Sequence, residues 1–94
     1  YAAHFDAWDV GTERGQRCMA TGGQRMVTCV LYLNDVEEGG GTSFPNLDME
    51  VRAIKGRMLV YHNCFQGSTV RHPNSVHGGM PALKGEKWAC NLWF

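Results

Sequence analysis

The stretch that decides the fold is RMVTCVLYL, residues 25–33. Its β-branched and aromatic side chains favour a long buried strand, and Asn34 and Asp35 open a turn after it. Outward from this stretch the chain is a series of short apolar segments separated by Gly and Pro, and no segment keeps a helical period over three turns. This pattern predicts an all-β sandwich or barrel, and within that class a jelly roll. The predicted strands and extended pieces are residues 1–6, 25–33, 42–44, 49–53, 57–62, 70–72, 75–77 and 87–94.

Residues 7–24 stand apart from this pattern. They contain Gly11, Gly15, Gly22 and Gly23 together with several charges, and they show no strong period. We therefore predict a mobile loop here, placed to close over a bound molecule as a lid.

The composition is that of an ordinary globular domain. The chain has 94 residues, of which 44% are hydrophobic and 19% charged, and its formal net charge is zero. This length suits a single domain. A neutral chain lacks the clustered excess of Lys and Arg that nucleic-acid and membrane-surface binders need. No apolar run approaches the roughly 20 residues that span a bilayer. We therefore expect no nucleic-acid partner and no membrane span.

The four cysteines are widely spaced along the chain. None forms a CxxC pair, so a zinc knuckle is not expected. Four reduced and mostly buried thiols are favoured over two disulfides. The residues are Cys18, Cys29, Cys64 and Cys90.

His4 and Asp6 form an H-x-D pair. Alternate side chains of a strand point to the same face, so the imidazole and the carboxylate would project together. With one further histidine they would make a set of two histidines and one carboxylate. Non-haem Fe(II) oxygenases use this set because it leaves coordination positions open. An H-x-D pair alone is common, however, and a surface histidine beside an aspartate is its usual explanation.

Three histidines could supply the third ligand: His62, His72 and His77. His62 ends an apolar strand, and His72 precedes Pro73 in a predicted loop. His77 stands before two glycines, which would let a ligand approach the metal closely. The residues alone favour His77 without excluding the other two.

Lys87 begins the last predicted strand. A buried cation in an apolar strand needs an anionic partner, and a dicarboxylate cosubstrate would supply one. The competing interpretation is a solvent-exposed lysine in the turn before the strand.

Taken together, these motifs resemble the catalytic domain of the prolyl 4-hydroxylases. Each motif alone is unspecific, whereas the whole series with its spacing covers the chain and is highly specific. The motifs are Y-x-x-H-F-D from Tyr1, R-x-x-T-x-x-x-Y-L-N-D from Arg25, E-E-G-G-x-T-x-F-P from Glu37, K-G-R from Lys55 and H-G-G-x-P-x-x-x-G-E-K-W from His77.

The resemblance implies a double-stranded β-helix, which is a jelly-roll variant, in a single catalytic core of residues 1–94. The helices and strands that precede the H-x-D strand in relatives have no counterpart in this sequence. We therefore expect a core without its N-terminal supporting elements.

The resemblance also implies roles for individual residues. His4, Asp6 and His77 match the metal ligands. Lys87 matches the basic residue that pairs with the far carboxylate of 2-oxoglutarate (2OG), and Tyr32 falls where relatives carry a hydroxyl that reaches the same carboxylate.

Three further positions enter through the resemblance. Thr42 lies near the same cosubstrate pocket. Tyr1 falls where some relatives place a tyrosine that faces cosubstrate or substrate. Trp93 matches a wall position of the last strand, where plain core packing explains it equally well.

The implied chemistry is hydroxylation of an unactivated C–H bond. It requires Fe(II), 2OG and O2, with ascorbate as the reductant. Succinate and CO2 are the implied co-products, and the implied substrate is a prolyl residue in a proline-containing peptide or protein. Two other interpretations stay open: a non-catalytic, cupin-like jelly roll that binds metal, and a dioxygenase acting on a free amino acid or small molecule. Lys87 and Tyr32 argue against the first, because a structural metal site needs no carboxylate anchor.

Overall fold

The computed structural model describes residues 3–94, so the role predicted for Tyr1 lies outside the described residues. Short strands dominate the chain, as its β-branched segments predict. The regular elements are α1 (Glu13–Gly22), β1 (Val27–Tyr32), β2 (Glu38–Gly39), β3 (Thr42–Phe44), β4 (Met49–Val51), β5 (Met58–His62), β6 (Gly78–Gly79), β7 (Ala82–Lys84) and β8 (Ala89–Trp93), with 3-10 turns at Pro45–Leu47 and Pro73–Ser75.

Antiparallel pairing joins these strands into two three-stranded sheets and one short pair. The larger sheet has the order β5-β1-β8, the second has the order β4-β3-β6, and β2 pairs with β7. No helix among residues 3–94 is long and apolar enough to cross a membrane.

The strand β1 carries the centre of the core. Its residues alternate strictly between half-buried and buried, and the buried set is Thr28, Val30 and Tyr32. Val30 and Tyr32 pack with Val36 and Ala53 in one apolar cluster. The inner face of β1 therefore combines an apolar end at Val30 and Tyr32 with a polar end at Thr28, and the polar end is where the candidate site lies.

The loop predicted over residues 7–24 is wrong in its secondary structure, because α1 occupies most of it. The helix has well-placed ends: Thr12 Oγ1 accepts from Gly15 N at 3.0 Å, and Gly23, with φ of 77°, donates its N–H to Met19 O at 2.7 Å. A threonine N-cap and a glycine just past the last turn are ordinary helix boundary signals. The four glycines of residues 7–24 favoured a loop in the sequence analysis and outweighed these two signals.

Three predicted extended segments also differ from the structure. Within residues 3–6 there is no strand, only an isolated bridge between His4 and His77. The extended piece predicted over residues 75–77 is shortened at its start, because Ser75 belongs to a 3-10 turn over Pro73–Ser75 in which Pro73 stands at the first position, where a fixed φ favours a helical turn. Residues 70–72 form no strand and contain only an isolated bridge from Arg71 to Cys64. The predicted strand 42–44 is confirmed with the same bounds, and those over 25–33, 49–53, 57–62 and 87–94 are confirmed with shorter bounds.

Gly15 shows why the helix needs glycine. A Cβ at this buried position would lie 1.9 Å from Asp9 O, whereas a Cβ at Gly22, in the last turn of the same helix, meets nothing within 4 Å. We expect Gly15→Ala to lower the free energy of unfolding by about 1–3 kcal/mol, as overpacking against fixed backbone does. The matched control Gly22→Ala should leave stability unchanged or raise it by up to about 1 kcal/mol. Thermal unfolding followed by circular dichroism measures both, and equal melting temperatures for the two variants would contradict the packing argument.

Candidate metal centre

His4, Asp6 and His77 come together in space. One ligand atom from each lies within 4.8 Å of the other two. Asp6 Oδ1 is 3.2 Å from His4 Nε2 and 3.3 Å from His77 Nε2, so both imidazoles face the same carboxylate oxygen. Asp6 and His77 are buried, whereas the side chain of His4 is 46% exposed. The site is thus closed on the protein side and open on the side of His4.

The backbone fixes the distance between the two histidines. His4 N donates to His77 O at 2.8 Å, and His77 N donates to His4 O at 3.0 Å. This reciprocal pair is a one-residue antiparallel bridge, and the ring centroids of the two histidines lie 4.6 Å apart. The sequence predicts an uninterrupted strand that aligns His4 with Asp6. In the structure, a single bridge at His4 and a bend at Asp6 bring the two side chains together instead.

The tautomer of His77 follows from its neighbours. Its Nδ1 lies 2.8 Å from Ser75 O. A carbonyl oxygen only accepts, so Nδ1 carries a proton and donates it. In the neutral ring Nε2 then keeps its lone pair, and this nitrogen lies 3.0 Å from the Tyr61 hydroxyl and 3.3 Å from Asp6 Oδ1. Two electron-rich atoms facing each other at 3.3 Å require a proton or a cation between them.

Asp6 Oδ2, the second oxygen of the carboxylate, accepts three hydrogen bonds. The donors are Thr28 Oγ1 at 2.8 Å, Tyr61 OH at 3.2 Å and Trp93 Nε1 at 3.3 Å. In the larger sheet Thr28 pairs with Tyr61 on one side and with Trp93 on the other, so the donors form one row across β5, β1 and β8. Oδ2 is therefore occupied, and Oδ1 is the oxygen left for a metal.

These contacts set the charge of the site. Burial alone would raise the pKa of Asp6, but hydrogen bonds from His77, Thr28 and Trp93 outweigh burial and hold that pKa well below its usual range. Burial alone would lower the pKa of His77, but Asp6 and the Ser75 carbonyl outweigh it and raise that pKa. Burial, together with the charge of Asp6, raises the pKa of Tyr61. The carboxylate is thus ionised and the phenol neutral at physiological pH, as a ligand and its hydrogen-bond donor should be.

A cavity of about 340 Å³ opens beside the three residues. Its lining includes His4, His77, Tyr61, Thr42 and Lys87. Lys87 is half-buried, and burial lowers the pKa of its ammonium group. Within residues 3–94 it forms no ion pair with a carboxylate. Two candidate metal ligands and a lysine that has no carboxylate partner among residues 3–94 therefore line one cavity.

Tyr32 lies one step behind this cavity. It is fully buried, and its hydroxyl forms a 2.6 Å hydrogen bond with Thr42 Oγ1. Among residues 3–94 the cavity lining includes Thr42 but not Tyr32. The hydroxyl that faces the cavity from this pair is that of Thr42, with Tyr32 as its support.

Two of the three candidate third ligands lie elsewhere. His62 is exposed at the end of β5, and His72 caps the Pro73–Ser75 turn, where its Nδ1 accepts from Asn74 N. Sequence reasoning missed Thr28 and Tyr61. The sequence does contain a signal for Thr28. It lies four residues before Tyr32 in the same strand, and alternate residues of a strand point to the same face, so both side chains point inward. Tyr61 could not be placed without the register between β1 and β5.

Trp93 has a second role besides its bond to Asp6. The guanidinium of Arg25 lies 4.2 Å from the centroid of the Trp93 ring and 4.8 Å from that of Trp8. All three side chains line a second cavity of about 570 Å³. Two other arginines form ion pairs, Arg17 with Glu13 and Arg71 with Asp9.

Comparison with known proteins agrees with this geometry. The model of the 2OG-Fe(II) oxygenase superfamily matches residues 1–94. The chain belongs to this superfamily. A protein of Acanthamoeba polyphaga mimivirus provisionally named a prolyl 4-hydroxylase is 38% identical over 94 residues, which are 100% of this chain and 39% of that protein. Prolyl 4-hydroxylase 13 of Arabidopsis thaliana is 33% identical over 108 residues, covering 99% of this chain and 37% of that protein.

A solved structure confirms the jelly-roll fold. The viral collagen prolyl hydroxylase of Paramecium bursaria Chlorella virus-1, in its 2OG complex, superposes with a TM-score of 0.80 at 26% sequence identity. The match covers 99% of this chain and 50% of that chain. The present chain thus spans about two-fifths to one-half of the proteins it resembles.

We expect metal binding to depend on His77 and not on His62. His77→Ala removes a buried ligand, whereas the matched control His62→Ala removes an exposed imidazole from β5. In anaerobic titration calorimetry with Fe(II), His62→Ala should bind as the wild type does. His77→Ala should show no binding at concentrations that saturate the wild type. Equal binding by both variants would place the metal elsewhere.

Proposed function

We propose that this chain is the catalytic core of an Fe(II)- and 2OG-dependent dioxygenase that hydroxylates a prolyl residue in a peptide or protein. The observation that carries the proposal is the convergence of His4 Nε2, Asp6 Oδ1 and His77 Nε2, beside a cavity lined by Lys87, which has no carboxylate partner among residues 3–94. Superfamily membership and relatives named prolyl 4-hydroxylase support it.

The donor set fits Fe(II). Two imidazole nitrogens and one carboxylate oxygen form the facial set of non-haem Fe(II) oxygenases. Ser75 O orients the His77 ring through Nδ1, which leaves Nε2 for the metal. The donor row on Asp6 Oδ2 favours coordination through Oδ1 alone. Such outer contacts orient ligands in metal sites generally.

The cavity fits 2OG. A cosubstrate with two carboxylates has one end for the metal and one for a cation, and Lys87 offers that cation within a cavity of about 340 Å³. The half-buried ammonium would gain a charge-assisted hydrogen bond on binding. Thr42 Oγ1, held by Tyr32, offers a hydroxyl in the same cavity.

When bound, iron and 2OG supply the oxygen-activating chemistry that hydroxylates a C–H bond, using O2 and yielding succinate and CO2. The protein residues bind and orient. His4, Asp6 and His77 would hold the metal, and Lys87 would hold the far carboxylate together with Thr42, which Tyr32 supports. Ascorbate is the proposed reductant.

The substrate belongs on the side of Trp93. The ring stack of Trp8, Arg25 and Trp93 gives a flat, partly cationic wall next to Asp6. Helix α1 forms another wall of the same cavity, through Arg17, Cys18 and Thr21. A lid role was predicted for residues 7–24. We propose it for helix α1, because movement of this helix toward Trp93 would narrow the cavity.

We expect Lys87→Ala to weaken 2OG use specifically. Loss of one hydrogen bond to a charged group costs about 1.5–3 kcal/mol, or roughly tenfold to a hundredfold in affinity. The measurement is succinate formation from 2OG with Fe(II), ascorbate and air. Lys87→Ala should need that much more 2OG to reach half-maximal turnover. The matched control Lys84→Ala, which removes an exposed lysine paired with Glu37, should behave as the wild type.

The same assay separates the parts of the proposal. Turnover that persists in His77→Ala would exclude this metal centre as its source. A proline-containing peptide that gains one oxygen by mass spectrometry with the wild type, and none with His77→Ala, supports prolyl hydroxylation. Succinate formation stimulated only by a free amino acid would assign a different substrate to the same centre.

A further inference from the structure

Asn63, the residue that follows β5, is fully buried and has no assigned role. Its Nδ2 donates to Thr28 Oγ1 at 2.7 Å, and Thr28 Oγ1 donates to Asp6 Oδ2 at 2.8 Å. Both Asn63 and Thr28 are 0% exposed. A chain of two hydrogen bonds thus runs from Asn63 to the carboxylate that faces both histidines.

The direction of this chain is fixed by its chemistry. The carboxylate of Asp6 accepts, so the single hydroxyl proton of Thr28 is donated to it. The Thr28 oxygen can then only accept, and Asn63 must present its amide NH2 group. As a result Asn63 Oδ1 points away and has no hydrogen-bond partner among residues 3–94. An unpaired buried oxygen costs about 1–3 kcal/mol, which ordinary core packing would avoid.

The main chain of Asn63 is tied down on both sides. Its N–H donates to Met26 O at 2.8 Å, and its carbonyl accepts from His72 N at 2.9 Å. His72 O accepts from Ser75 N at 3.0 Å, and Ser75 O accepts from His77 Nδ1. Asn63 is therefore linked to Asp6 through its side chain and to His77 through the backbone.

We propose that Asn63 is a positioning residue of the metal centre, which through Thr28 fixes the rotation of the Asp6 carboxylate so that Oδ1 faces His4 and His77. The inference rests on the proposed function, since it concerns the same metal site. Thr28 makes the shortest of the three bonds to Oδ2. Asn63 holds that hydroxyl in the orientation that the bond requires.

The test is titration of the chain with Co(II), which replaces Fe(II) without being oxidised in air and whose visible absorption bands report ligand geometry. Asn63→Leu removes the amide donor and the unpaired oxygen together and keeps the branched shape of the side chain. We expect it to fold and to bind Co(II) about tenfold more weakly, with altered bands, as loss of an outer partner does. Asn46→Leu is the matched control, because it removes an exposed amide that donates to Pro73 O, and its titration should match the wild type.

A double substitution shows whether Asn63 acts through Thr28. Thr28→Val removes the hydroxyl and should weaken Co(II) binding about tenfold to a hundredfold. In that background Asn63→Leu should cause no further loss, because the chain is already broken. Thr28→Ser keeps the hydroxyl and should restore both the affinity and the bands. If Asn63→Leu does not fold, Asn63→Ala removes the same amide with a smaller side chain and takes its place in both titrations.

The outcomes separate this inference from the proposed function. If the wild type takes up no Co(II), both are overturned. If the wild type binds and Asn63→Leu binds equally well with unchanged bands, only the positioning role is overturned. A lower melting temperature of the metal-free Asn63→Leu variant with unchanged Co(II) affinity would show a merely structural residue. Additive losses in the double variant would show that Asn63 does not act through Thr28.

Discussion

The buried carboxylate of Asp6 is the constraint on which the rest of the site depends. A carboxylate leaves water at a high cost unless every lone pair finds a donor. Here one oxygen takes three donors from Tyr61, Thr28 and Trp93, which are neighbours in one row of the sheet. A shift of β5 or β8 by one residue would turn Tyr61 or Trp93 to the opposite face. The register of the sheet therefore determines how the Asp6 carboxylate is oriented.

The same sheet also joins the candidate metal centre to the cavity that Lys87 lines. Ala89, Asn91 and Trp93 alternate along β8, and the first two line the cavity while the third reaches Asp6. On the opposite side, Tyr32 of β1 is hydrogen-bonded to Thr42 of β3, so a polar contact ties the larger sheet to the second sheet at the cavity wall. Lys87 lies two residues before β8 and lines the same cavity as His4 and His77.

The sequence predicted most of the strands and the convergence of His4, Asp6 and His77, for physical reasons that differ. The strand of residues 25–33 is visible because β-branched and aromatic residues have a local preference. His77 was favoured by the glycines after it and by the resemblance. Helix α1 was missed because four glycines were weighed above the Thr12 cap, and the close approach of Gly15 to Asp9 is a tertiary contact that no local pattern shows.

The partners of Asp6 were beyond sequence reasoning, because they depend on register. Thr28 lies 22 residues from Asp6, and Tyr61 lies 55 residues away. Only pairing of β1 with β5 and β8 brings them to one oxygen. Asn63 is further removed still, since it touches no candidate ligand with its side chain. Its unpaired Oδ1 breaks the rule that buried polar atoms are hydrogen-bonded. Proteins break such local rules mainly at functional sites, and the directional demand of an acceptor-only carboxylate explains why this oxygen, and not the amide nitrogen, is the atom left unpaired.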